Sequence, residues 1–204
     1  NHLNYKMPEF LTSNLKIKKE IQKMTLEEKI GQMFLVSFPG KFVEQTTKEW
    51  LKSHKIGGVI LLGRNIESED QSRNLIGSLK KINSAYSDFP IFIAVDQEGG
   101  IVSRFNFLKE LTSQSEISNE MEAYSVAYKR GKELADLGVN INFSPVLDIA
   151  SNPSSFMYQR AFRGDEKRVA ELGKAMVQGY QAAGLVGVIK HFPGHGSTAV
   201  DSHK

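Results

Sequence analysis

Ile91-Phe-Ile-Ala-Val-Asp-Gln-Glu-Gly-Gly100 is the stretch that decides the fold class. Its apolar run is too short for a helix, rich in β-branched and aromatic side chains, and ends abruptly in a charged, glycine-rich turn. A strand that is apolar on both faces is buried on both faces, the condition of a parallel sheet covered by helices. Asp96 then stands at the C-terminal end of such a strand. Similar runs occur at Met33–Phe38, Gly58–Leu62, Val139–Val146 and Val186–Ile189, with Gly or Pro at their borders. The fourth run leads into Asp148 and the fifth into Lys190-His191.

Helical segments lie between these runs. Thr25-Leu-Glu-Glu28 has capping-box spacing and opens a short helix. Ser68–Ser84 begins with Ser68 and Gln71 in the same spacing and carries Leu75, Leu79 and Ile82 at helical intervals. Met121–Leu137 ends at Gly138. Glu166–Ala183 follows Asp165 as N-cap, aligns Val169, Leu172, Met176 and Tyr180, and stops at Gly184. Alternating strands and helices mean an α/β fold, either a doubly wound sheet or a (β/α)8 TIM-type barrel. No phosphate-cradling glycine loop follows the first strand, which disfavours the nucleotide-binding sheet. Polar groups gather just after strand ends, where barrel active sites lie. The barrel is the expectation, with five strand–helix units visible where a complete one needs about 250 residues.

Composition narrows the class further. The 204 residues carry 26 basic and 23 acidic side chains, so one globular core is expected and the net charge of +3 gives no footprint for nucleic acid. Lys16, Lys18, Lys19 and Lys23 form the one dense basic group, read as a solvated helix face within a first 25 residues that are otherwise polar and irregular. Cysteine is absent, excluding disulfides and thiolate metal sites. No apolar run reaches the roughly 20 residues of a membrane span. The chain begins at Asn1 rather than Met, which leaves room for an upstream leader, so the compartment (cytoplasm, or cell envelope and beyond) stays open.

The densest chemistry lies in Lys190-His-Phe-Pro-Gly-His-Gly-Ser-Thr-Ala-Val-Asp-Ser-His203. Pro193, Gly194 and Gly196 force a loop, so this is no helical metal motif. Zinc on His191, His195 and His203 is the competing reading, but no fourth ligand is evident, and no metal or other cofactor is expected. A carboxylate two residues before an imidazole, as in Asp201-Ser-His203, fixes its tautomer and makes a proton shuttle; alone, such a pair is usually two solvated loop residues. Asp96 lies eight residues before Arg104, and either a barrel-mouth ligand or a structural ion pair fits it. Gly99-Gly100 indicates a tight turn or a close backbone approach to a ligand. Arg160 and Arg163 each suit an anionic or hydroxyl-rich ligand, and a solvated surface arginine is the alternative for either.

Together, Ala94-Val-Asp-Gln-Glu-Gly-Gly100 with Arg104, Asn142-Phe-Ser-Pro-Val-Leu-Asp148, Arg160-Ala-Phe162, Lys190-His-Phe-Pro-Gly-His-Gly196 and Asp201-Ser-His203 resemble glycoside hydrolase family 3. More narrowly they look like its β-N-acetylglucosaminidase branch, associated with peptidoglycan turnover. The likeness runs in order from about residue 24 to 203. It implies a retaining exo-acting enzyme in which Asp96, Arg104, Arg160, Lys190 and His191 hold N-acetylglucosamine and His203, partnered by Asp201, is the acid/base. It implies residues 1–24 as an N-terminal extension and 25–204 as an incomplete catalytic barrel. The family's nucleophilic aspartate sits on a later strand, so it is expected beyond Lys204. The implied partners are an N-acetylglucosamine glycan or muropeptide and the C-terminal remainder of the barrel. A non-catalytic sugar-binding remnant and a glycoside phosphorylase are the alternatives.

Overall fold

In the computed structural model, residues 14–196 are described. The chain runs α1 (Asn14–Lys23), α2 (Leu26–Gly31), β1 (Leu35–Val36), α3 (Gln45–His54), β2 (Gly58–Leu61), α4 (Glu69–Ser84), β3 (Phe92–Val95), α5 (Glu120–Leu137), β4 (Ile141–Asn142), α6 (Glu166–Ala182) and β5 (Val186–Gly187). The strands form one sheet in the order β1-β2-β3-β4-β5, each neighbouring pair parallel. A doubly wound sheet must reverse its strand order at a switch point. Here spatial order follows chain order throughout, the winding of a barrel.

Local chemistry sets the helix boundaries. Thr25 and Glu28 form the reciprocal capping box, Asn119 caps α5 and Asp165 caps α6 through its side chain. Ser68 caps α4 by accepting from the Gln71 N–H, while the Gln71 side chain accepts from Glu67 N rather than completing a box. Gly138 ends α5 with φ +98° and Gly184 follows α6 with φ +83°, the left-handed conformation that stops a helix.

The helix face read at the basic group before Thr25 is present, as the helix over residues 14–23. Two expectations change. Residues 45–54 form α3, which the apolar pattern did not reveal because Thr47 and Leu51 are its only buried positions. The strands are also shorter than the apolar runs. The core gathers around Val59, Leu61, Ile93 and Val95 of the sheet and the inner faces of α4, α5 and α6. Among the described residues β1 and β5 are edge strands, and Met33, Phe34, Leu35 and Trp50 are exposed on the β1 side.

Asparagines lace β3 to β4. Asn140 donates to Ile91 O (3.0 Å) and accepts from Ile93 N (2.7 Å), and Asn142 does the same with Gln97 O and Gln97 N at 2.9 Å each. Their amides extend the ladder beyond the short strand and hold the segment after β3 against β4.

Candidate active site

The C-terminal ends of β3, β4 and β5 deliver an unbroken chain of charged and polar side chains. Lys190 Nζ lies 2.7 Å from Asp96 Oδ1 and 2.5 Å from Glu98 Oε1. Arg160 grips the same Glu98 with two prongs, Nε to Oε2 at 2.9 Å and Nη2 to Oε1 at 2.8 Å. Its Nη2 is 3.5 Å from His191 Nε2, and His191 Nδ1 is 2.6 Å from Asp148 Oδ2. Carboxylates therefore alternate with cations from Asp96 to Arg160, and His191 links Arg160 to Asp148. Arginine only donates, so a bond at the Arg160 contact requires His191 Nε2 to accept and the ring proton to sit on Nδ1, facing Asp148.

Backbone placement makes this convergence possible. A parallel bridge between Val146 and Lys190 extends the β4–β5 pairing past the strand ends. Leu147 N donates to Lys190 O at 2.7 Å, and Lys190 N to Pro145 O at 3.1 Å. Lys190 is thereby carried toward Asp96, 94 positions away in sequence. Gln97 organises the loop after β3, its Oε1 accepting from Arg104 N (2.7 Å) and Phe105 N (3.0 Å). Asp148, 0% exposed at its side chain, holds the Lys190 loop by accepting from the main-chain N–H groups of His191 and His195 as well as the His191 ring.

Electrostatics follow from this geometry. Burial pushes the Asp148 carboxyl up, but the hydrogen bonds it accepts from the His191 ring, the His195 N–H and the His191 N–H work the other way, and it stands below the usual aspartate range. Burial likewise works against the Arg160 charge, and Glu98, joined by Asp96 and Asp148, more than compensates, raising the guanidinium above its ordinary value.

The predicted site residues are thus largely brought together. Asp96, Arg160, Lys190 and His191 belong to one cluster. The ion pair considered between Asp96 and Arg104 is absent among the described residues; Asp96 pairs with Lys190 instead. Arg104 sits on the ordered loop, with its Nε buried and without a hydrogen-bond partner. Arg163 turns away, stacked 3.5 Å over the Tyr158 ring. Asp201 and His203 lie outside the described residues. The close approach at the double glycine is internal: a Cβ on Gly99, whose φ is +88°, would lie 2.2 Å from Thr112 O and 2.5 Å from Arg130 Nη2.

Sequence reasoning missed Glu98, the 2%-exposed carboxylate at the centre of the cluster. The available signal was its spacing, because extended residues two apart face the same side and Asp96 already pointed to the mouth. It also missed Asp148 as the partner of His191. Among the described residues the cluster's carboxylates are all paired, an arrangement suited to gripping hydroxyls rather than exchanging protons.

Comparison with known proteins agrees with this picture. The model of the glycosyl hydrolase family 3 N terminal domain matches residues 25–204. Beta-hexosaminidase A of Pseudoalteromonas piscicida is 38% identical over 165 residues, covering 76% of this chain and 28% of that protein. Beta-hexosaminidase of Nitrosomonas eutropha is 37% identical over 179 residues, covering 83% and 50%. A family 3 β-N-acetylglucosaminidase from Paenibacillus sp. str. FPU-7 superimposes with a TM-score of 0.82 at 34% identity, covering 88% of this chain and 35% of that one. NagZ from Neisseria gonorrhoeae, in complex with N-trifluoroacetyl-D-glucosamine, superimposes at 0.75 with 29% identity, covering 83% and 52%. The chain spans about half the length of these relatives or less. With the match reaching from the first capping box through every strand to the Lys190 loop, the chain belongs to glycoside hydrolase family 3.

Proposed function

We propose that this chain is the sugar-gripping part of a retaining exo-β-N-acetylglucosaminidase acting on peptidoglycan-derived or related glycans. The observation that carries this reading is the Asp96–Lys190–Glu98–Arg160–His191 cluster at the strand ends of a family 3 chain. Asp96 offers an acceptor and Lys190 and Arg160 offer donors to a ring of hydroxyls, with His191 beside Arg160 and Arg104 on the adjoining loop. Residues 25–204 are the barrel portion and residues 1–24 an extension.

A retaining glycosidase needs a nucleophilic carboxylate on one face of the anomeric carbon and a proton donor toward the leaving oxygen. Asp201 and His203 fill the second role: the carboxylate orients the imidazole, which protonates the leaving oxygen and then deprotonates water. The nucleophilic aspartate and the strands that close the barrel belong to the length that the relatives have and this chain does not span. The exposed β1 side, with Phe34 and Trp50, is the face such units would cover.

The test is release of p-nitrophenol from p-nitrophenyl N-acetyl-β-D-glucosaminide by the protein carrying this segment. His203→Ala should lower kcat by about 10²–10⁴-fold, the contribution of a positioned acid/base. Unchanged turnover in that variant would exclude the dyad. N-acetylglucosamine binding that weakens in Asp96→Ala, with no turnover, would instead support a sugar-binding remnant. Sugar-1-phosphate formed on adding phosphate would identify a phosphorylase.

A further inference from the structure

Behind the sugar-gripping cluster stands a fully buried arginine. Arg130 lies on the inner face of α5 and is 0% exposed. Its Nη1 donates to Glu98 O at 2.7 Å, its Nη2 to Thr112 O at 2.6 Å and its Nε to Glu110 O at 3.4 Å. The one carboxylate within 4 Å among the described residues is Glu110, 3.8 Å from Nη2. A helix position flanked by Val126, Ala127 and Leu134 would accept an aliphatic side chain without the desolvation cost of a guanidinium. The contacts explain the choice: three main-chain carbonyls from the connection between β3 and α5 converge on one rigid fork, which an ammonium or an aliphatic chain cannot imitate.

Glu98 connects this fork to the site. Its carbonyl rests on Arg130, and its carboxylate takes both prongs of Arg160 and stands 2.5 Å from Lys190. Anchoring the main chain of Glu98 sets where the carboxylate begins, and so where both cations converge. Gly99 leaves room for the guanidinium, since a Cβ there would lie 2.5 Å from Nη2. On the other side Nη1 is 3.4 Å from Tyr180 Oη, which donates to Ser144 Oγ at 3.1 Å. The fork therefore joins the loop after β3 to α6 and the segment after β4.

We infer that Arg130 is a positioning residue that acts through Glu98 to aim Lys190 and Arg160 at the sugar. The inference rests on the function proposed above only for the identity of the ligand. Arg130→Lys keeps the charge and removes the fork. Two quantities are measured on the folded protein by NMR, the solvent-exchange rate of the Arg160 Nε–H and the affinity for N-acetylglucosamine. The expected result is exchange faster and affinity weaker, each by about tenfold. In a Glu98→Gln background the same substitution should add nothing further, because both act on one link.

A merely structural role would lower the melting temperature while leaving Arg160 exchange and sugar affinity at wild-type values. That result, or effects that add to those of Glu98→Gln, would overturn the inference. Should Arg130→Lys not fold, Tyr180→Phe withdraws the hydroxyl beside Nη1, together with its bond to Ser144. It should move both readouts in the same direction by less, and no movement would overturn the inference equally. Wild-type protein that binds no N-acetylglucosamine would overturn the proposed function, and the exchange readout would then decide the role of Arg130 alone.

Discussion

Asp148 shows how much of the site depends on one buried carboxylate. It accepts from the ring and main chain of His191 and from the main chain of His195, and these bonds hold it ionised despite burial. Its folded-state pKa is below the unfolded value of about 3.9. The stability it contributes is therefore fully present above that value and lost as pH falls through the depressed folded value. Asp148→Asn should cost about 3 kcal/mol at neutral pH, the scale for breaking a buried pair. In thermal melts the gap between wild type and variant should narrow as pH drops below about 4; a gap that stayed constant down to about pH 2 would contradict the linkage. At this scale the individual residues were legible. Asp96, Arg104, Arg160, Lys190 and His191 stand out one by one from strand ends and motif likeness, but their pairing does not. Glu98 went unassigned because its neighbours Lys190 and Arg160 are 92 and 62 positions away, a proximity only the fold creates.

At the scale of elements, α5 and α6 make the most extensive helix–helix contact, and glycine decides how closely they approach. A Cβ on Gly179 would lie 2.4 Å from Tyr124 O and 2.9 Å from Ala127 Cβ, main chain and core side chain that have nowhere to move. Gly179→Leu should thus destabilise by about 3 kcal/mol or more, the scale of severe overpacking. Gly77 in α4 is the opposite case, an exposed helix-interior position where an added methyl would meet no atom within 4 Å. Gly77→Ala should stabilise by about 0.5–1 kcal/mol through helix propensity alone. Melting temperatures that moved in the same direction for both variants would refute this account. Helix ends were readable because Thr25, Ser68, Asp165 and Gly138 act on their immediate neighbours. α3 was not readable, because the stripe of Thr47 and Leu51 is too narrow to register as a period.

For the whole molecule the governing feature is the open sheet. β1 and β5 have one paired side each among the described residues, and Met33, Phe34 and Trp50 present apolar surface beside β1. An unpaired edge with apolar flanks invites association. The 204-residue chain by itself is expected to self-associate at micromolar concentration. Phe34→Lys should shift its sedimentation toward monomer; identical profiles for the two would show that association uses another surface. The barrel direction of winding was legible from the alternation of apolar runs and helices together with the lack of a phosphate loop. The strand lengths were not; between β3 and β4, for example, the side chains of Asn140 and Asn142 supply bonds beyond the regular pairing, which no apolar run records.

Sequence alone determined the class of fold, the helix caps, the strand-end positions of the polar residues and the family likeness, because each depends on local chemistry or on short motifs. Tertiary structure alone decided that Asp96 pairs with Lys190, that Glu98 is the hub, that Asp148 anchors His191 and that Gly99 makes room for Arg130. The physical reason is range. A cap or a glycine turn acts across about four residues, whereas a buried carboxylate is neutralised by whichever cation the folded sheet brings within about 3 Å, and the chain's order does not record which one that is.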